Sequence, residues 1–282
     1  MLFSLLLMSL FVASLNSGSN GNCYYVGNGS EAVLVDAGIS CRETERRMAR
    51  LNLSLKTVKA IFISHEHSDH IKGVTVLSKK YNLPVYITET TARFGRLNID
   101  RSLARTFAAD ETISINSLSV TPFAKHHDAG DPHSFVVEGN GVIVGVFTDI
   151  GNVCDKLTMH FKGCHAAFLE ANYDADMLEN GRYPIHLKRR IRGGKGHLSN
   201  HEALELFNTH RPAHMSHLFL AHLSAENNNP ELVNELFSAH AGDVQVVVAS
   251  RYRETEVFHI RRHDEMIHEP VPLMHSRQAS LF

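Results

Sequence analysis

The chain has few cysteines, no excess of either charge and no long apolar run, and each shortage removes a class of protein. The four cysteines, Cys23, Cys41, Cys154 and Cys164, form no C-x-x-C pair. Neither a zinc ribbon nor a disulfide framework is therefore expected, and a reduced compartment, the cytoplasm, is the simplest setting. The net charge over 282 residues is −2, so no global field draws the chain to nucleic acid or to a membrane, and any basic footprint must be local. The opening MLFSLLLMSLFVASL is too short to span a bilayer. It also lacks the basic start of a secretory signal, since the first Lys or Arg is Arg42. It reads as a buried first strand, Ser9 to Leu15, behind a few extra residues. Met8 is an alternative start, and a chain beginning there is expected to be active. With 43% hydrophobic and 21% charged residues, the composition excludes a disordered, collagen-like or coiled-coil protein.

What the chain has in excess is histidine. Its 20 copies outnumber the 18 glycines. Histidine is the commonest metal ligand and the proton carrier of neutral pH, so metal chemistry is the first thing to seek.

The apolar pattern predicts one α/β domain over residues 8–260, followed by a mobile tail at 261–282. Three short runs, Phe11–Leu15, Cys23–Val26 and Ala32–Val35, are separated by Gly/Ser/Asn turns and form a β-meander. Ser40 and Glu43 predict a capping box opening a helix over Arg42–Leu51. Val58–Ile63 is a buried strand, and one helix is expected from His70 through Leu77 to Tyr81. Phe135–Val137 and Val142–Phe147 form a hairpin across Gly139-Asn140-Gly141. Strands and helices then alternate to Thr255–Ile260. Each half runs strands first and alternation second, which fits two sheets packed face to face with helices outside.

The strand Val58–Ile63 runs straight into Ser64-His65-Glu66-His67-Ser68-Asp69-His70. Four donors fall within six residues. A turn can aim His65 and His67 at one ion while Asp69 and His70, at the following helix start, reach a second. A lone pair of histidines is ordinary surface or core polarity; four donors directly after an apolar strand are not.

H-x-H-x-D-H after a strand resembles the signature of the metallo-β-lactamase superfamily of binuclear hydrolases, and the resemblance extends over most of the chain. It implies a four-layer αββα sandwich and two divalent ions. Val35-Asp36-Ala37-Gly38 is similar to the early strand end whose aspartate, here Asp36, supports the ligand loop without binding an ion. His126-His127-Asp128-Ala129 is similar to the next ligand motif, which implies His127, with His126 as the alternative because it stands where a small residue is expected. Thr148-Asp149 is similar to the bridging aspartate, and Ala221-His222-Leu223-Ser224 to the last histidine. More narrowly, Ser17-Gly18-Ser19-Asn20-Gly21-Asn22, Gly181-Arg182-Tyr183-Pro184 and Gly196-His197-Leu198-Ser199-Asn200 resemble the WalJ/YycJ-type branch of DNA-processing exonucleases. The leading MLFSLLL does not.

The resemblance implies that His65, His67 and His127 hold one ion, that Asp69, His70 and His222 hold the other, and that Asp149 bridges. A donor set of imidazole and carboxylate suits zinc or manganese, with iron a third choice. Two ions about 3.5–4 Å apart can share a water, lower its pKa and clamp an in-line displacement. The resulting hydroxide would attack phosphorus, oriented by Asp69 or by Asp149. Glu170, Asn172 and Asp174 follow a strand end and are open to roles behind the ligands, in the core or as caps.

Arg182, Lys188, Arg189, Arg190, Arg192 and Lys195 lie together with no Asp or Glu between them. A charge run is ordinarily a solvated face. This one leads to His197 and Ser199 at a helix start, where free N–H groups bind phosphate. Arg189, Arg190, Lys195, His197 and Ser199 are thus candidates for gripping a phosphate backbone. Ser17 and Ser19 would form a second anion nest. His197 is also a candidate catalytic group beside Asp69 and Asp149. The expected activity is phosphodiester hydrolysis, an exonuclease on DNA in preference to RNA, with no membrane partner. The alternative is a small-ester or thioester hydrolase, glyoxalase-II-like or a lactonase, which would not need the cations. A di-iron redox enzyme would have Glu in place of His67 and a flavin domain, and a non-catalytic module need not keep every ligand.

Overall fold

The computed structural model describes residues 9–262. The expectations for Met8 and for most of the tail lie outside the described residues. Arg261, expected in the tail, instead closes the last strand.

The first half contains β1 (Ser9–Asn16), β2 (Cys23–Gly27), β3 (Ala32–Val35), α1 (Cys41–Arg50), β4 (Val58–Phe62), α2 (Ser68–Ile71), α3 (Val74–Tyr81), β5 (Val85–Tyr86), α4 (Glu89–Phe94) and β6 (Ala104–Arg105). The second half starts with β7 (Ile113–Ile115), β8 (Leu118–Ala124), β9 (His133–Gly139) and β10 (Val142–Phe147). It continues with α5 (Asp155–Phe161), β11 (Ala166–Glu170), α6 (Ala175–Asn180), α7 (Ile185–Ile191), α8 (Asn200–His210), β12 (His217–Ala221), α9 (Pro230–Ser238), β13 (Gln245–Val248) and β14 (Phe258–Arg261). One sheet has the order β14-β1-β2-β3-β4-β5-β6 and the other β13-β12-β11-β10-β9-β8-β7. Each is antiparallel where hairpins join neighbours and parallel where helices cross over.

Alternation along the strands builds the layers. Leu10, Val12, Tyr24, Val26, Val33, Val35 and Phe62 face Val120, Phe135, Val137, Val144, Val146 and Phe168 of the other sheet. The intervening residues point outward. Ala13, Leu15, Tyr25, Leu34 and Ile61 pack with Met48 of α1 and Val74 and Leu77 of α3. Phe147, Leu169 and Leu220 pack with Phe161, Phe207 and Phe237 of the second half's helices. Both faces of each sheet are covered, which is why these strands read as unbroken apolar runs. The result is the expected four-layer αββα sandwich.

Three local expectations change. The helix after His70 is two helices, because Gly73 donates to Ala37 O at 2.7 Å rather than continuing the ladder. A Cβ there would meet Ile39 O at 2.1 Å, so only glycine permits this approach. The capping box of α1 is half made. Ser40 accepts from Glu43 N at 3.2 Å, but the Glu43 carboxylate turns to Arg46 and Arg47. The charge run contains a helix, α7, that its polar composition hid. The Gly139–Gly141 hairpin holds as expected, with Asn140 and Gly141 both left-handed at φ 56° and 72°.

Phe135 is fully buried between the sheets, edge-on to Phe62 and Phe107 at 5.6 and 5.7 Å. Phe135→Ala is expected to cost roughly 3–5 kcal/mol, read as a lowered urea midpoint with an unchanged slope.

Candidate metal centre

The chemistry-bearing residues follow six strands that run in one direction: β3, β4, β8, β10, β11 and β12. Their carboxyl ends meet at one edge of the sandwich. Three residues there, Asp36, Asp149 and His222, are left-handed at φ 59°, 55° and 56°. For a non-glycine residue this costs about 1–2 kcal/mol. The strain appears at the point where each chain turns its side chain inward.

His65, His67 and His127 converge. His65 Nε2 lies 3.0 Å from His67 Nδ1, which lies 3.3 Å from His127 Nε2. His127 Nδ1 donates to Gly196 O at 2.9 Å, so Nε2 presents its lone pair to the cluster. His126 points elsewhere. It is exposed, and its Nδ1 pairs with Asn152 Oδ1 at 2.8 Å. Between the two alternatives, His127 is the one turned inward.

Asp69, His70 and His222 form a second cluster. Asp36 accepts from His70 Nδ1 at 2.7 Å and from Ser64 N and Oγ at 2.8 Å each, which aims His70 Nε2 at the cluster. The Asp69 carboxylate lies 3.5 Å from the Nε2 atoms of both His70 and His222. Asp149 stands between the clusters, 3.2 Å from His70 Nε2 and 3.8 Å from His127 Nε2.

Glu170 ties the back of the site together. Its Oε1 accepts from His222 Nδ1 at 2.9 Å and from His197 Nδ1 at 2.8 Å. Its Oε2 accepts from Ile150 N, next to Asp149, at 2.6 Å and from Leu198 N at 3.2 Å. Its position directly at a strand end was the available signal, but the same signal fits a cap. Asp174 is such a cap, accepting from Met177 N at the start of α6. Asn172 donates to His222 O at 2.7 Å. Two further residues were given no role from the sequence. Lys125 is buried two residues before His127 and donates to Thr148 O at 2.6 Å. Asp128 faces His127 Nε2 at 3.4 Å with one oxygen and binds Arg190 of α7 with the other.

Burial and neighbouring charge divide the candidate ligands. Burial pushes His127 down to about 4, and burial with the His70 charge pushes His65 down as well. Their rings are neutral at pH 7. Burial opposes charge on His222 too, but Asp149, Asp69 and Glu170 override it and hold the ring up at about 10. His70 is likewise held above its ordinary range by Asp149, Asp36 and Asp69. Burial would raise Glu170, yet His197 and His222 hold it down at about 2. So much buried negative charge calls for cations. Asp149 Oδ2 and His222 Nε2 are buried with no hydrogen bond. Unpaired donors facing the same space, all imidazole or carboxylate, fit divalent metal ions.

Not every expected contact forms. Ser17 is buried, accepting from His222 N at 2.7 Å and lying 2.8 Å from Tyr24 OH. It braces a ligand loop and offers nothing to an anion. Ser199 is engaged by a complete capping box, exchanging bonds with Glu202 at 2.7–3.2 Å, so its hydroxyl and N–H are not free for phosphate. Ser19 is exposed near Arg251. Arg190 reaches the site through Asp128. Among the described residues, Arg189 and Lys195 make no ion pair.

In the first cluster His65 and His127 are neutral rings, and in the second His70 and His222 hold their protons, which sets the pH dependence of metal uptake. A ligand held at about 10 must lose its proton to bind, so affinity at the second position rises with pH between 6 and 9. Calorimetry in buffers of different ionisation heat should show one uptake step with little proton release and one releasing at least a proton. Glu170→Gln is expected to lower metal affinity about 10–100-fold by loosening His222, measured by chelator competition.

Comparison with known proteins agrees with this geometry. The β-lactamase superfamily domain matches residues 31–222. The chain is 37% identical over 230 residues to the exodeoxyribonuclease YycJ of Bacillus anthracis, covering 80% of this chain and 86% of that protein. It is 33% identical over 240 residues to the exodeoxyribonuclease WalJ of Streptococcus pneumoniae, covering 81% and 88%. The metallo-β-lactamase fold protein YhfI from Bacillus subtilis superposes with a TM-score of 0.70 at 15% identity, over 89% of this chain and 99% of that one. With the His/Asp clusters of that strand edge inside the matched segment and identity sustained over four fifths of its length, the chain belongs to the β-lactamase superfamily.

Proposed function

We propose that this protein is a metal-dependent phosphodiesterase acting on nucleic acid, an exonuclease on DNA. The observation that carries this reading is the pair of buried ligand clusters with Asp149 between them. Its relatives' names supply the substrate class. His65, His67 and His127 would hold one ion, Asp69, His70 and His222 the other, and Asp149 would touch both. Zinc or manganese suits these donors. When bound, two such ions lower the pKa of a water and neutralise charge on phosphoryl oxygens. The chain's own residues do the rest. Asp36 and Glu170 fix the imidazole orientations. Asp69 or Asp149 orients the attacking water. His197 rests on Glu170 through Nδ1, and its charged form can donate from Nε2 to a phosphate oxygen. Arg190 sits at the rim through Asp128, with Arg189 and Lys195 nearby in sequence. These cations have no use in a small-ester hydrolase and favour a polyanionic substrate. Four free cysteines support a cytoplasmic setting. No helix among the described residues is long and apolar enough to cross a membrane.

Metal analysis followed by assay on end-labelled single- and double-stranded DNA and RNA tests the reading. Metal-loaded protein should shorten DNA from an end; turnover of thioesters with DNA untouched would replace the reading by the ester-hydrolase one. Asp149→Ala is expected to abolish hydrolysis and reduce bound metal while circular dichroism stays unchanged. Changing Arg189 and Arg190 together to Ala should weaken DNA binding irrespective of sequence. It should also flatten the log–log salt slope by about 0.9 per lost duplex contact, or about 0.7 on single strands.

A further inference from the structure

The loop Ser250–Thr255, between β13 and β14, is held far more firmly than its exposure requires. Ser17 N donates to Ser250 O at 3.1 Å. Asn20 Nδ2 donates to Arg251 O at 2.8 Å and Arg47 Nη2 to Tyr252 O at 3.1 Å. Arg50 grips both oxygens of Glu254 at 2.6 and 2.7 Å, and Thr255 N donates to Ser14 O at 3.0 Å. Three successive carbonyls are thus pinned from below. On this rigid base the Tyr252 side chain stands 80% exposed, the most exposed large apolar residue described. Among the described residues its ring makes no aromatic or cation–π contact.

Its neighbours are cations without counter-charge. Among the described residues neither Arg251 nor Arg253 pairs with a carboxylate, while the loop's own Glu254 is occupied by Arg50. Arg251 Nη1 is buried and makes no hydrogen bond. The three side chains border an open groove of about 860 Å³ that also takes in Ser17, Leu223 and Ser224. Ser17 accepts from the backbone of His222, and Leu223 and Ser224 follow that residue in the chain. The groove wall therefore includes the two residues that follow His222 in the chain as well as Tyr252. Glu231 and Glu256 also line it. They repel phosphate, which leaves the arginine-bearing loop as the side along which a polyanion can run.

We infer that Arg251, Tyr252 and Arg253 form a stacking platform for an unpaired nucleotide of the strand whose end lies at the metal centre. The aromatic face takes a base, whichever base it is, and the arginines take the flanking phosphates. This rests on the reading of the protein as a nuclease and adds that the bound strand is single-stranded beyond the cleavage site. A fixed pedestal suits the role, since a preordered ring loses little freedom when a base covers it.

The test uses the full chain, loaded with metal, and a fluorescein-labelled oligothymidylate with phosphorothioate linkages, beside a small aryl phosphodiester. Tyr252→Ala is expected to weaken oligonucleotide binding about 5- to 150-fold, the range for one lost base–aromatic stack. Tyr252→Phe should restore it and Tyr252→Leu should not. Turnover of the small ester should be unchanged in all three, which also reports that the metal centre is intact. Arg251→Ala with Arg253→Ala should weaken binding and flatten its salt dependence. A wild type that cleaves DNA and a Tyr252→Ala variant that binds as well as it does would overturn the platform alone. Equal losses on blunt duplex and single strand would overturn it too, because a paired base cannot stack there. A wild type that neither binds nor cleaves nucleic acid would overturn the platform together with the nuclease reading.

Discussion

Buried negative charge is the constraint on which this molecule turns. Asp36, Asp149 and Glu170 are almost wholly inaccessible, and Asp69 stands beside them. An unpaired carboxylate in a protein interior costs several kcal/mol. Here each is met by imidazole N–H groups, by backbone N–H groups, or by a space shaped for cations. Asp36 is matched by Ser64 and His70, and Glu170 by His197, His222 and two backbone amides. Of these four carboxylates, Asp149 is the one that keeps a buried oxygen with no hydrogen bond. That asymmetry separates the supporting carboxylates, which are satisfied by the chain, from the one directed at the open centre.

The fold makes such a concentration of charge tolerable. Two sheets, each covered on both faces, spread the apolar core over three layers, so the polar edge need not contribute to the packing. Parallel strands deliver their carboxyl ends to the same edge, where ligand sites of open α/β sheets are found. The antiparallel β8 joins them because β9 reverses the chain twice before β10. Each half supplies part of each cluster: β4 gives His65, His67, Asp69 and His70, while β8, β10 and β12 give His127, Asp149 and His222. Neither sheet alone could assemble the site.

Around this centre the surface is unequal. On the α7 flank Arg190 meets Asp128, and among the described residues Arg189 and Lys195 make no ion pair. On the flank formed by the loop after β13, Tyr252 is raised between two arginines. Loops that brace the centre also shape these flanks. Ser17 bonds both His222 and Ser250, so the backbone that fixes a ligand also anchors the outer loop.

The run from Ser64 to His70 was legible in the sequence because its donors are neighbours in the chain and follow an apolar strand. Asp36, Asp149 and His222 were legible through resemblance to the superfamily's motifs, each directly after an apolar strand. The layers followed from alternation that is itself local. What needed tertiary structure is whatever depends on a partner far away in the chain. Gly196 O selects the inward ring at His127, while Asn152 holds His126 outside. Glu170 acquires its role from His197 and His222, 27 and 52 residues on. Ser17 and Ser199 look like anion binders in a linear reading. Folding gives their hydroxyls to His222 N and Glu202, because a polar group that becomes buried takes the nearest partner and has no lone pair or proton left for a ligand. A sequence lists donors and acceptors, whereas burial decides which of them remain unpaired.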